Sequence, residues 1–166
     1  MRLISLIGAA IWVDFAVMLI TKILPGQHLS FLPPTNALML WYDKFGVAAV
    51  SADVLSLVLG VLLAMFLFPD ATGLSLVGGA VFVQLLHDIF FYIVVILGLP
   101  TGQNQMIDVF KTYASEGGAT ILLADSLMIT GTVLLATIWD MFFSYRFIAF
   151  KTLLGMYSLI YITYTK

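Results

Sequence analysis

Four aspartates lie inside long apolar stretches of this chain: Asp14, Asp53, Asp88 and Asp125. A carboxyl group at the centre of a membrane-spanning helix costs about 2.5–3.5 kcal/mol on insertion scales. Four of them at recurring positions ask for a common purpose. No Lys or Arg lies deep within these stretches, and Lys22 sits near the end of one. Without counter-charges the four acids cannot all be ionised, so they hold protons or a cation. The chemistry open to them is proton exchange or cation binding. His87, beside Asp88, is the candidate base. Neighbours on a helix point about 100° apart, so the two can face different ways. The bland alternative is protonated aspartates that bond Ser56, Ser126 or backbone carbonyls and fix helix register. Such polar contacts between spans contribute about 0.6 kcal/mol on average. For His87 the bland alternative is a packing histidine bonded to a carbonyl of a neighbouring helix.

The elements that must position these groups are spanning helices. The chain has 166 residues, 62% of them hydrophobic and 10% charged. A soluble domain is roughly 45–50% apolar and only about 25% of it is charged. So small a core cannot hide the apolar excess, and lipid must solvate much of the surface. Four stretches read as spans: about Leu3 to Leu24, Gly46 to Phe68, Leu74 to Leu99 and Gly118 to Trp139. Each has roughly 20 residues or more, enough for a hydrocarbon core of about 30 Å. Pro25-Gly26, Pro69-Asp70 and Pro100-Thr101-Gly102 stop the first three. The turn Ala71-Thr72-Gly73 makes the second and third an antiparallel hairpin. The apolar run behind Arg2 resembles a signal peptide, but it holds Asp14 and lacks a small-x-small site, so cleavage is not expected.

The loops carry further signals. Trp41 and Tyr42 read as an aromatic girdle in the first long loop. Asn104 to Ser115 reads as a short amphipathic helix on the membrane surface. Met106, Ile107, Phe110, Tyr113 and Ala114 form its apolar face, and Asp108, Lys111, Thr112 and Ser115 its polar one. The tail from Phe147 to Tyr164 is apolar and aromatic but punctuated by Arg146, Lys151 and Lys166. It is open between a fifth span and a helix lying in the interface. Arg2, Arg146 and Lys151 on one face balance Lys22, Lys44 and Lys111 on the other, so positive charge sets no orientation.

An internal repeat organises the spans. One shift of the chain along itself lays Gly46-Val-Ala-Ala-Val-Ser-Ala-Asp53 on Gly118-Ala-Thr-Ile-Leu-Leu-Ala-Asp125, and Val61-Leu-Leu-Ala64 on Val133-Leu-Leu-Ala136. Asp14 and Asp88 precede Leu24-Pro25-Gly26 and Leu99-Pro100-Thr101-Gly102 more loosely. The expected organisation is a two-span unit at 1–68, its copy at 69–139, and a C-terminal helix at 140–166, with parallel repeats about an axis along the membrane normal. Asp53 and Asp125 fall about 10 Å below one face, and Asp14 and Asp88 about 15 Å below the same face. In an all-α bundle the four can meet. The small pairs Ala48/Ala52 and Gly60/Ala64 on the second span, with Thr132/Ala136 on the fourth, permit close packing.

Other classes fall away. A net charge of −2 gives no basic footprint for nucleic acid. With no cysteine there is no thiol redox chemistry, iron–sulfur cluster or cysteine-ligated zinc. His28 and His87 lie at unlike depths and make a poor haem pair. No hydrolase, kinase, dinucleotide or potassium-filter pattern occurs, so neither catalysis nor a cofactor is expected. The expected partners are the bilayer and protons or cations, with a homo-oligomer left open. The metal, if one binds, is not identified by these residues.

Trp41-Tyr-Asp-Lys-Phe-Gly46, Ala49-Val-Ser-Ala-Asp53, His87-Asp-Ile-Phe-Phe-Tyr92, Asp108-Val-Phe-Lys-Thr-Tyr-Ala114 and Ala124-Asp-Ser126 occur in order. In these pieces, over about residues 38–165, the chain resembles an uncharacterised family of multi-pass membrane proteins of giant viruses, the nucleocytoplasmic large DNA viruses. The resemblance implies a virion or host-cell membrane and supplies no mechanism. Asp14 lies outside it. Two functions are therefore expected to compete: a proton or cation channel or transporter built on the aspartates, and a structural protein of a viral or host-derived membrane.

Overall fold

The computed structural model describes residues 1–23 and 36–165. Leu24, Pro25-Gly26, His28, Pro33-Pro34 and Lys166 lie outside the described residues. Seven α-helices follow one another: α1 (Leu3–Ile23), α2 (Asn36–Phe45), α3 (Val47–Leu67), α4 (Leu74–Phe90), α5 (Gln105–Gly117), α6 (Thr120–Phe142) and α7 (Tyr145–Thr163). A π-helical segment, Phe91–Ile96, extends α4. There is no strand among the described residues. The fold is all-α. Leu3–Lys22, Val47–Leu67, Leu74–Ile96 and Thr120–Phe142 are each long and apolar enough to cross a bilayer, with mean hydropathy of 2.0 to 2.4. The chain fits a multi-pass integral membrane protein.

Charged pins mark the two ends of the bundle. At one end Arg2 Nε donates to Asp140 Oδ1 at 2.7 Å, and its Nη2 donates to the carbonyls of Trp139, Asp140 and Phe143. Ser5 Oγ donates to the same carboxylate. This ties the start of α1 to the exposed carbonyls at the end of α6. At the other end Lys22 Nζ donates to the carbonyls of Thr163 and Thr165, at 2.9 and 3.0 Å, and to Asp43 Oδ1 at 3.0 Å. The two pins give the bundle an Arg2 face and a Lys22 face.

They also place the C-terminal helix. α7 starts beside Arg2 and ends beside Lys22, so it runs parallel to α1 along its whole length. Of the two readings left open for this helix, neither is decided by span length: α7 packs lengthwise on α1 and is not among the four helices long and apolar enough to cross a bilayer. Small residues explain the close approach. Gly8 of α1 lies against Thr152, and Gly155 of α7 lies against Ile11 and Trp12. Trp12 Nε1 donates to the Lys151 carbonyl at 2.9 Å. The Lys151 ammonium lies over the Phe147 and Trp12 rings, 5.6 and 6.0 Å from their centres.

α6 runs three residues beyond its expected end at Trp139. Asp140 is thus a second acid on that helix, and Arg2 satisfies it. The short helices lie on the Lys22 face. Asn104 caps α5 by accepting from Met106 N at 2.9 Å and Ile107 N at 3.3 Å. Glu116 of α5 accepts from Ala37 N at 3.1 Å and so caps the start of α2. On the Arg2 side, Leu6, Ala10, Val61, Ala64, Ala80 and Val133 form a closely packed apolar core.

The α1–α7 seam gives a direct test. A Cβ on Gly155 would stand 2.7 Å from Trp12 Nε1 and 3.0 Å from Ile11 Cγ2, whereas one on Gly78 would meet nothing within 4 Å. Gly155→Ala is expected to lower stability by about 1–3 kcal/mol. Gly78→Ala is expected to leave it unchanged or slightly raised. Thermal unfolding of the two variants in detergent micelles separates them.

Candidate functional site

Between α2, α3, α4, α5 and α6, on the Lys22 side, lies a cavity of about 680 Å³. Asp53 of α3, Asp88 of α4 and Asp125 of α6 all line it, with His87 and Ser56. Among the described residues, no Lys or Arg contributes to its wall. Three of the four expected acids therefore share one cavity.

The local backbone explains why Asp53 and Asp125 arrive together. Gly46 has φ 51° and Gly118 has φ 52°, a region that disfavours side chains. Each glycine turns the chain out of a short helix and into a spanning one. Seven residues later, two helical turns into the bundle, each span delivers its aspartate to the cavity.

Asp14 is the exception. It is 0% exposed and absent from the cavity wall. Its Oδ1 accepts from the Tyr42 hydroxyl at 3.2 Å, while its Oδ2 is buried without a partner. The Tyr42 hydroxyl also lies close to Asp53, so the tyrosine stands between the two carboxylates. The expectation that all four acids meet in one open cluster is corrected: Tyr42 walls one of them off.

The remaining acids differ in their partners. Asp53 Oδ2 accepts from Trp41 Nε1 at 3.1 Å. Asp88 Oδ1 accepts from Gln84 Nε2 at 2.8 Å and lies 3.1 Å from His87 Nδ1, and its Oδ2 is buried without a partner. Asp125 has no hydrogen-bond partner among the described residues. Neither Ser56 nor Ser126 bonds an aspartate, and Ser126 does not reach the cavity wall. The serine-bonded alternative is thereby corrected. So is the expected partner of His87, which turns to Asp88 and stacks on Phe91, ring centres 5.9 Å apart, rather than bonding a carbonyl on another helix. Its side chain is half exposed.

Trp41 and Tyr42 are only 4% and 2% exposed, so they are not a girdle at the water interface. They point inward and each bonds an acid. α5 does not rest on the bilayer alone. It packs its apolar face on α2, with Phe110 4.6 Å from Trp41 by ring centres, and closes the cavity. Tyr113 of α5 lines the wall too, and burial, then the neighbouring Asp125, hold its phenol above the usual range. It remains neutral.

Trp41, Tyr42, Gln84 and Tyr113 were not singled out as site residues by sequence. The signals were present. Trp41 falls on Tyr113 under the same shift that lays Asp53 on Asp125. Gln84 lies four residues before Asp88, on the same helical face. Past Asp88 the chain widens into the π-helix Phe91–Ile96, closed by Leu97 N donating to Tyr92 O at 2.9 Å. Such segments recur at functional sites, and here Phe91, Tyr92, Ile93 and Ile96 line the cavity. Lys111 of α5 donates to the freed Leu99 carbonyl and fixes the segment's exit.

Tyr42→Phe leaves both oxygens of Asp14 without a partner and is expected to cost about 1–3 kcal/mol. Asp14→Leu in that background replaces both polar groups by apolar ones and should recover most of the loss. A double-mutant cycle on unfolding in micelles reads the coupling. Additive losses would show that the buried contact is not what holds α1 to α2.

No protein-family model, curated protein or solved structure matches the chain.

Proposed function

We propose that the protein handles protons or cations within the membrane, as a carrier whose site is Asp53, Asp88, Asp125 and His87. The observation that carries this reading is the convergence of three carboxylates from three helices on one cavity, with no Lys or Arg among its described lining residues. Acids within spans are expensive, and they typically mark ion pathways. The site lies in the Lys22 half of the bundle. On the Arg2 side the core of Leu6, Ala10, Val61, Ala64, Ala80 and Val133 is packed and apolar. A cavity in one half of the bundle beside a packed apolar half suits a carrier better than an open pore. The second reading, a structural protein of a viral or host-derived membrane, draws on Asp14, which is buried against Tyr42 away from the cavity wall. The viral setting rests on the sequence resemblance.

Reconstitution in liposomes with pH-sensitive and ion-sensitive dyes tests the proposal. Asp88→Asn is expected to reduce flux at least tenfold, because Asp88 joins Gln84 and His87 at the cavity wall. Asp14→Asn should keep flux within about twofold of the parent once corrected for folded protein. Equal flux in the parent, both variants and protein-free liposomes would leave the structural role as the better account.

A further inference from the structure

We infer that the cavity binds an organic ammonium with an apolar, partly aromatic body, in preference to a bare inorganic cation. The inference rests on the cation-handling reading above and names its ligand class. Size is the first reason. A volume of about 680 Å³ lies within the range of small-molecule pockets, roughly 300–1,000 Å³. It is far larger than a dehydrated ion needs. The second reason is the donor arrangement. Among the described residues no three His, Asp or Glu side chains are close enough to share a metal ion. The acids bound the cavity from separate helices instead of converging on a point.

The wall supplies the third reason. Trp41, Phe91, Tyr92, Phe110 and Tyr113 give it aromatic surfaces. Ring faces attract an ammonium, and their bodies accept the apolar groups it carries. Phe110 packs against both Trp41 and Phe91, with ring centres 4.6 and 5.6 Å away, so three rings form one continuous surface. The carboxylates sit at its edge. Asp125 lines the cavity and has no hydrogen-bond partner among the described residues. A protonated amine would satisfy it. A neutral lipid would leave it unpaired, and an anion would meet no Lys or Arg among the described lining residues.

The test is equilibrium binding to the purified full chain in nanodiscs. The probe is a radiolabelled diarylalkyl tertiary amine. Its uncharged carbon isostere and the chlorides of sodium, potassium, magnesium and calcium serve as competitors. The amine should bind saturably, with the isostere at least tenfold weaker and the salts, at matched ionic strength, not displacing it. Asp88→Asn and Asp125→Asn should each weaken binding at least tenfold. Ala114→Phe, which fills the cavity from α5 without touching a carboxylate, should abolish binding while the protein stays folded, and it serves if the Asn variants do not fold. Equal affinity for amine and isostere, displacement by one of the metal ions, or absence of saturable binding would each overturn the inference. Asp88-dependent proton or metal-ion flux in liposomes that fail to bind the amine would leave the carrier proposal standing and remove only the ligand class. Loss of both would remove both.

Discussion

Hydrocarbon solvates neither a carboxylate nor an unpaired carbonyl, so each polar group within the bundle must be met by protein or by an enclosed space. The fold follows from the different ways this demand is met. Asp140 is met by Arg2 and Ser5 at one face. The last carbonyls of α7 are met by Lys22 at the other. Those pins tie α1 to the end of α6 at one face and to the end of α7 at the other. Asp14 is met by a single tyrosine hydroxyl in a dry contact. Asp53, Asp88 and Asp125 are met only in part, and the space they share is the cavity.

The cavity exists because two short helices interrupt the spans on one side. α2 and α5 pack on each other, and Glu116 joins them end to side. They bring bulky rings into the gap between α3, α4 and α6, where small residues would otherwise let the spans close. Below them, Ala64 and Ala80 permit that closure and the core is packed. The same sequence device, a glycine at positive φ after each short helix, sets both sides of the site. The widened π-helical turn after Asp88 belongs to this arrangement, since it carries Phe91 to the rings of His87 and Phe110.

The halves use this common layout differently. In the first, Trp41 bonds Asp53 and Tyr42 closes over Asp14. In the second, the repeat puts Tyr113 in the place of Trp41, and Ala114 in the place of Tyr42. Alanine reaches no acid, so Asp88 and Asp125 stay on the open side of the wall. One substitution in the pattern thus separates a carboxylate covered by a tyrosine from carboxylates that line the cavity.

Sequence alone was sufficient for the spans, their order and the acids. Apolar runs long enough to span, with Pro-Gly stops, are local properties, and α3 and α6 fall close to their expected bounds. The spacing from Gly46 to Asp53 and from Gly118 to Asp125 is local too, and both acids reach the same cavity. Rotation about the helix axes was not legible. In an all-apolar span no polar stripe marks the inward face, because lipid and core accept the same side chains. Only the packed bundle therefore decided that Asp14 faces Tyr42, that Trp41 turns inward and that Ser126 lies off the site. It also decided the course of α7, whose charges, read one by one, suit an interface. Placed beside α1, Lys151 lies over the rings of Phe147 and Trp12, and the helix lies along the bundle because Gly8 and Gly155 let it come close.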